Sequence, residues 1–117
     1  MASAKVRAAG DIIGDRVTNI AGEDLGWIDD VVVDIEHGRL AYAVLAFNTQ
    51  LLGREGKRFA VPWSLLRLSD DGGTFLLDVE RDVLERAPGF DEGELPDYAD
   101  RAWGQAIHGH YGEPTYW

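Results

Sequence analysis

Two long apolar stretches, separated by a short polar link, occupy residues 25–47 and leave few folds open to the chain. The link has the sequence EHGR at positions 36–39, and the flanking stretches are rich in Val, Ile, Leu, Ala and aromatic residues. β-Branched and aromatic residues favour strands, and a short polar link that contains glycine favours a reversal of the chain. The segment therefore predicts a β-hairpin, which we expect to form the centre of a small β-barrel.

The two strands of this hairpin differ in their apolar pattern. In the first strand the apolar residues occupy both parities, and Asp29 and Asp30 interrupt them. This change of parity predicts a bend or a β-bulge near the two aspartates. Residues 40–47, in contrast, are apolar on both faces. Such a strand is either a central strand covered on both sides or part of a contact between subunits.

Shorter strands with turn signals between them complete the predicted barrel. We expect these strands at residues 17–19, 57–63 and 74–79. In the second of them, Phe59, Val61 and Trp63 should point inward, while Arg58 and Ala60 should point outward.

After residue 79 the spacing of the apolar residues changes from the alternation of a strand to the spacing of a helix. Residues 80–87 predict a short helix, which the Pro-Gly pair at positions 88–89 ends. Farther along, apolar and aromatic side chains recur at a spacing that places them on one face of a helix. They are Ala99, Ala102, Trp103, Ala106, Ile107, His110 and Tyr111. Further aromatic residues follow, and rings of this size need a surface to cover them.

These elements predict a mainly β fold: a small β-barrel with a short helix and a C-terminal helical and aromatic tail. The expected organisation is a flexible lead at residues 1–10, a barrel domain at 11–88 and a tail at 89–117. The tail packs either on its own barrel or on a partner subunit. A chain of 117 residues is long enough for one domain with a core and too short for two.

The acidic composition of the chain disfavours some classes of binding partner. The chain has 21 acidic and 11 basic residues and a formal net charge of −10. A surface of that sign repels phosphate backbones, so we expect no direct contact with nucleic acid. The sequence contains no cysteine and no apolar run long enough to cross a membrane. We therefore expect a cytoplasmic protein without a transmembrane segment.

No pattern in the sequence points to catalysis or to a resident metal. His108 and His110 are two positions apart, and on a helix such residues point to nearly opposite sides. Ser64 lacks the flanking glycines of a nucleophile elbow. We expect a protein that is not an enzyme and that holds neither metal nor cofactor.

Four acidic residues follow one another along the first hairpin strand and its link. They are Asp29, Asp30, Asp34 and Glu36. Strand alternation divides them between two faces, and their spacing is not that of a calcium-binding loop. We interpret them as an acidic patch that faces a protein partner with basic residues.

Several short motifs, in this order and spacing, resemble the PRC-barrel domain. They are Gly14-x-x-Val17, Gly22-Glu23-x-Leu25-Gly26-x-Ile28-x-Asp30, Gly38-Arg39-x-x-Tyr42-Ala43-Val44 and Phe59-Ala60-Val61-Pro62-Trp63. The tail resembles that of the stand-alone bacterial members, with Leu95 where those members often have an aromatic residue. The family includes the cytoplasmic part of the photosynthetic reaction-centre H subunit. The resemblance implies a scaffolding or protein-interaction module rather than an enzyme.

The expected function is therefore that of an assembly module, which we expect to be a homodimer. The residues expected to dock the tail or to form the interface are Tyr42, Leu51, Leu52, Trp103, Ile107, Tyr111, Tyr116 and Trp117. The alternative is a protein that binds a small ligand or acts in stress-related regulation. It would use a groove at the subunit interface lined by Trp27, Tyr42 and Trp63, although the same three aromatics also suit a barrel core.

Overall fold

The computed structural model describes residues 6–47, 57–69, 73–91 and 93–117. Its helices are α1 (Ala9–Ile12), α2 (Arg81–Glu85) and α3 (Arg101–Tyr111), and a 3-10 turn spans Trp63–Leu65. Its strands are β1 (Arg16–Thr18), β2 (Asp24–Asp34), β3 (Arg39–Phe47), β4 (Lys57–Pro62), β5 (Leu66–Leu68), β6 (Thr74–Leu77) and β7 (Phe90–Asp91). The fold is mainly β, as the sequence predicts.

The strands form one seven-stranded sheet in the order β5-β6-β1-β2-β3-β4-β7. Strands β2 and β3 form the predicted antiparallel hairpin, and their register shifts between Ile28 and Asp30. That irregularity confirms the bulge predicted near the two aspartates. A second shift follows between Val32 and Val33. Bulges increase local twist and bend, which helps a sheet to curl.

A single inner core shows that the sheet curls on itself. Its buried side chains come from all of β1 to β6 and from α2 with the residues after it. Leu40 of β3 also lines the same cleft as Leu66 of β5 and Phe75 of β6, although these strands are not neighbours in the sheet. Strands so far apart in the sheet order can share a core only if the sheet closes toward a barrel.

A second apolar cluster covers the outer face of the same sheet. Its buried members are Ala41, Tyr42, Ala60 and Ile107, and α3 and the tail supply most of the rings around them. Residues 41–47 of β3 are consequently buried on both faces within one chain. Ala60 points outward as predicted, but it is buried because the outer cluster covers it.

Several boundaries differ from the sequence predictions. Trp63 begins the 3-10 turn instead of ending β4, and the helix predicted at 80–87 is limited to Arg81–Glu85. Residues 1–5 of the predicted lead lie outside the described residues. Within 6–10, Arg7 forms an ion pair with Asp15 and donates a hydrogen bond to the carbonyl oxygen of Asp11 at 2.8 Å. These contacts tie residues just before α1 to the barrel.

Candidate functional site

Helix α3 has well-defined signals at both ends. Asp100 caps the N-terminus, where its side chain accepts a hydrogen bond from the amide of Ala102 at 2.9 Å. At the C-terminus Gly112 adopts a left-handed conformation with φ of 67°. The amide of Glu113 then donates to the carbonyl oxygen of His108 at 2.9 Å, as in a Schellman motif. The chain therefore turns back after Gly112 and brings residues 113–117 onto the sheet.

The buried face of α3 only partly matches the face predicted from the sequence, since Trp103, Ile107 and Tyr111 lie in the outer cluster as expected. Ala102 and Ala106 were expected to contact the barrel, but both are exposed. Gly104 and His108 were not expected there, yet they are buried beside Ile107. The helix is rotated because large rings from the sheet and the tail need space, and glycine supplies it.

Gly104 is the point of closest approach between α3 and these rings. A Cβ atom at this position would lie 2.6 Å from the ring of Trp117 and 2.7 Å from the hydroxyl oxygen of Tyr42. The carbonyl oxygen of Gly104 also lies 2.7 Å from Nδ1 of His108, so this nitrogen donates and Nε2 is left without the proton in the neutral ring. A glycine inside a helical pattern was the one sequence signal for this contact.

Tyr42 lies at the centre of the aromatic cluster. Its ring centroid is 5.1 Å from Trp103, 5.4 Å from His108 and 5.7 Å from Tyr116, all in edge-to-face arrangements. Burial, and to a smaller extent the neighbouring Tyr116, raises the pKa of the Tyr42 phenol well above its usual range. Within the described part of the chain, the buried hydroxyl of Tyr42 has no hydrogen-bond partner.

The structure brings most of the expected tail-docking residues together on the outer face. Tyr42, Trp103, Ile107, Tyr111 and Tyr116 share the outer cluster, and the ring of Trp117 packs against His108 at 5.6 Å. Leu51 and Leu52 lie outside the described residues. The contacts are made within one chain, and a role for these residues between subunits stays a prediction.

Two polar contacts fasten α3 and the tail to the rest of the molecule. The hydroxyl of Ser64 donates to the carboxylate of Glu113 at 2.6 Å. Nε2 of His110 lies 2.8 Å from the carbonyl oxygen of Val83 and donates to it. His108 and His110 therefore serve separate contacts. Among the described residues, no three His, Asp or Glu side chains are placed to hold a metal ion.

The four acidic residues of the predicted patch are partly engaged within the chain. Asp29 forms an ion pair with Arg58 at 3.0 Å, and Asp34 lies 2.9 Å from His37 and 3.3 Å from Arg39. Partial burial alone would raise the pKa of the Asp34 carboxyl, but hydrogen bonds from His37 and Arg39 outweigh it and hold that pKa below its usual range.

Asp34 and Glu36 nevertheless border a small opening beside the tail, of about 180 Å³. We call it the tail cleft. Its other lining residues are His37, Tyr98, Ala99, Asp100, Arg101, Tyr116 and Trp117. It joins the hairpin link to the start of α3 and to the last two aromatic residues.

A larger and more apolar opening lies near the N-terminal segment. We call this space of about 420 Å³ the end cleft, and its lining residues are Val6, Arg7, Ile12, Leu40, Trp63, Leu66, Leu68 and Phe75. The ring of Trp63 packs edge-to-face on Phe75 at 5.7 Å. No sequence signal located this cleft, because its walls come from segments that only the curled sheet brings together.

Within one chain, the three aromatic residues predicted to line a groove between subunits do not lie together, and the groove itself stays a prediction. Trp63 packs on the inner core, whereas Tyr42 belongs to the outer cluster. Trp27 lies under the guanidinium of Arg16, which is 5.5 Å from the ring centroid. The three aromatic residues therefore occupy separate environments.

Within the described residues, no helix is both long and apolar enough to span a membrane.

No curated protein matches the chain. The family model for the PRC-barrel domain matches residues 5–84, a segment that contains β1 to β6 and most of α2 and ends before α3. Because this match covers more than half of the sequence, the chain belongs to the PRC-barrel domain family.

Proposed function

We propose that the protein is a non-enzymatic interaction and assembly module that acts as a homodimer. The observation that carries this proposal is the end cleft, whose walls are apolar except for Arg7. An opening of this kind on a small protein is typical of a site that another protein or a ligand covers. The outer face of β3 is less suited to this role, because α3 and the tail already cover it.

A second copy of the chain provides side chains that fit the end cleft. Val6 at its rim is 84% exposed, and Ile13, which follows Ile12, is 42% exposed. In a two-fold symmetric dimer each subunit presents the same patch, so the exposed Val6 of one copy can enter the cleft of the other. Strand β5 also ends the sheet here, and among the described residues it pairs only with β6.

Sedimentation velocity over a range of protein concentrations tests the proposed dimer. The wild-type protein should sediment as a dimer. Leu68→Glu places a charge in the wall of the end cleft and should yield a monomer, because burying an unpaired carboxylate in an apolar contact is unfavourable. Leu95→Glu is the matched control, since Leu95 is 70% exposed and lies outside the cleft.

Circular dichroism should confirm that both variants fold. A wild-type protein that remains a monomer at its highest soluble concentration contradicts the proposal. If the Leu68→Glu and Leu95→Glu variants dissociated to monomers to the same extent, the dimer contact would not lie at the end cleft.

A second candidate function is the binding of a small apolar ligand in the same cleft. Its volume of about 420 Å³ lies within the range of ligand pockets. A ligand that binds only the folded state raises the melting temperature as its concentration increases. Suppose that a ligand raises the melting temperature of the wild-type protein but not that of Leu68→Glu, and that the wild-type protein sediments as a monomer with and without the ligand. That result would favour this second function over the dimer.

A further inference from the structure

The tail cleft combines aromatic rings with carboxylates. Tyr98, Tyr116 and Trp117 form part of its wall, and Asp34 and Glu36 lie at its edge. All three rings are partly exposed, so a group that enters the cleft can reach them. The faces of such rings attract cations, and more often guanidinium groups than ammonium groups.

The charge around the cleft is also unfavourable for anions. Glu36 is exposed and belongs to no ion pair among the described residues. The charges of Asp30 and Asp29 add to the effect of burial and raise the pKa of the Tyr98 phenol, which shows that both carboxylates act on this wall. The surroundings of the cleft therefore favour a cation.

The chain itself shows how these rings hold guanidinium groups. The guanidinium of Arg39 lies 5.1 Å from the ring centroid of Tyr116, and its Nε is 3.3 Å from the Asp34 carboxylate. The guanidinium of Arg101 lies 5.8 Å from the ring centroid of Trp117. A carboxylate and an aromatic face thus act together on Arg39, and the same cleft is also lined by a further carboxylate, Glu36, and a further ring, Trp117.

We propose that the tail cleft binds an arginine side chain from a basic segment of a partner protein. The guanidinium lies against the aromatic wall and within reach of Glu36. This inference rests on the proposed interaction role and identifies the chemistry of a partner other than a second copy. It uses a surface separate from the end cleft, so the two proposals can fail independently.

Isothermal titration calorimetry with blocked model peptides tests the inference. The probe is an acetylated and amidated peptide of alternating glycine and arginine, and its control contains citrulline, which keeps the shape of arginine without the charge. The arginine peptide should bind the protein at least ~10-fold more tightly than the citrulline peptide does. Its affinity should fall with added salt, because the contacts are near the surface.

Three variants locate the binding. Glu36→Gln should weaken the binding of the arginine peptide about fivefold, as expected for one exposed charge. Glu94→Gln makes the same change in net charge on an exposed residue outside the cleft and should alter affinity less than about twofold. Arg101→Gln removes the guanidinium that competes for Trp117 and should strengthen binding.

Opposite effects of Glu36→Gln and Arg101→Gln would support a specific cleft. If Glu36→Gln and Glu94→Gln weakened peptide binding equally, overall charge would explain the binding, and the proposal would be overturned. Equal binding of the two peptides, or tighter binding of spermine than of the arginine peptide, would also overturn it. Loss of peptide binding in a protein that still sediments as a dimer would leave the assembly proposal standing.

Discussion

At the scale of single residues, Gly104 determines how closely α3 approaches the sheet. A methyl group at this position would meet the Trp117 ring at 2.6 Å and the Tyr42 hydroxyl at 2.7 Å. We expect Gly104→Ala to lower the free energy of unfolding by roughly 1–3 kcal/mol, because overpacking outweighs the better helix propensity of alanine. Urea unfolding followed by tryptophan fluorescence measures the change.

Gly109 provides the matched control in the same helix. A Cβ atom there would have no neighbour within 4 Å. Gly109→Ala should therefore raise the free energy of unfolding by up to about 1 kcal/mol. If Gly104→Ala also stabilised the protein, the close packing between α3, Tyr42 and Trp117 would be refuted.

Tyr42 makes the stability of the protein sensitive to high pH. Burial in the folded protein raises the pKa of this phenol, whereas in the unfolded chain the same phenol has a pKa of about 10. The stabilisation is therefore complete below about pH 10 and is lost as the pH rises above that value. We therefore expect the contribution of Tyr42 to wild-type stability to be constant up to about pH 10 and to fall as the pH rises further.

Tyr42→Phe removes this dependence together with the buried hydroxyl. At neutral pH the variant should be as stable as the wild type or more stable by about 1 kcal/mol, because no described residue bonds to that hydroxyl. Its loss of stability at high pH should be smaller than that of the wild type. Urea unfolding of both proteins at neutral pH and at alkaline pH gives the comparison, and equal losses would contradict the prediction.

At the scale of elements, α3 and the tail act as the cover of the outer face. Removal of residues 98–117 would expose Tyr42, Ala41 and Ala60, which are at most 3% exposed in the complete chain. We expect the truncated protein to aggregate or to melt at a lower temperature, because a contiguous apolar patch becomes open to water. Light scattering and differential scanning fluorimetry measure the two effects.

Point variants in α3 test the covering of the outer face without shortening the chain. Ile107→Asp places a charge on the buried face and should lower the melting temperature, whereas Gln105→Asp on the exposed face should leave it nearly unchanged. A truncated protein that stays soluble, with the oligomeric state and melting temperature of the wild type, would show that the outer face needs no cover.

The elements also differ in how well the sequence predicted them. The hairpin of β2 and β3 and its bulge followed from the order of apolar residues, because strand parity is a local property. The buried face of α3 was predicted only in part: Ala102 and Ala106 are exposed and Gly104 is buried, because that face depends on the fit of Gly104 against two distant rings. The pairing of Asp29 with Arg58 joins β2 to β4 across β3 and has no local signal.

At the scale of the whole molecule, the excess of acidic residues opposes compact folding. The chain has 21 acidic and 11 basic residues, and its formal net charge is −10. Several described basic residues already form ion pairs, among them Arg58 with Asp29 and Lys57 with Asp91. Repulsion between the remaining carboxylates destabilises the folded state, while each surface ion pair contributes little.

Screening by salt should therefore stabilise the protein. Raising NaCl from about 0.01 M to about 0.15 M shortens the Debye length from roughly 30 Å to about 8 Å. We expect the free energy of unfolding in urea, at fixed protein concentration, to rise over this range. A combined Glu36→Gln, Asp78→Asn and Glu94→Gln variant carries less repulsion, so its rise should be smaller. If stability fell with salt instead, the ion pairs would outweigh the repulsion, and the acidic surface would be more fully neutralised within the fold than its net charge indicates.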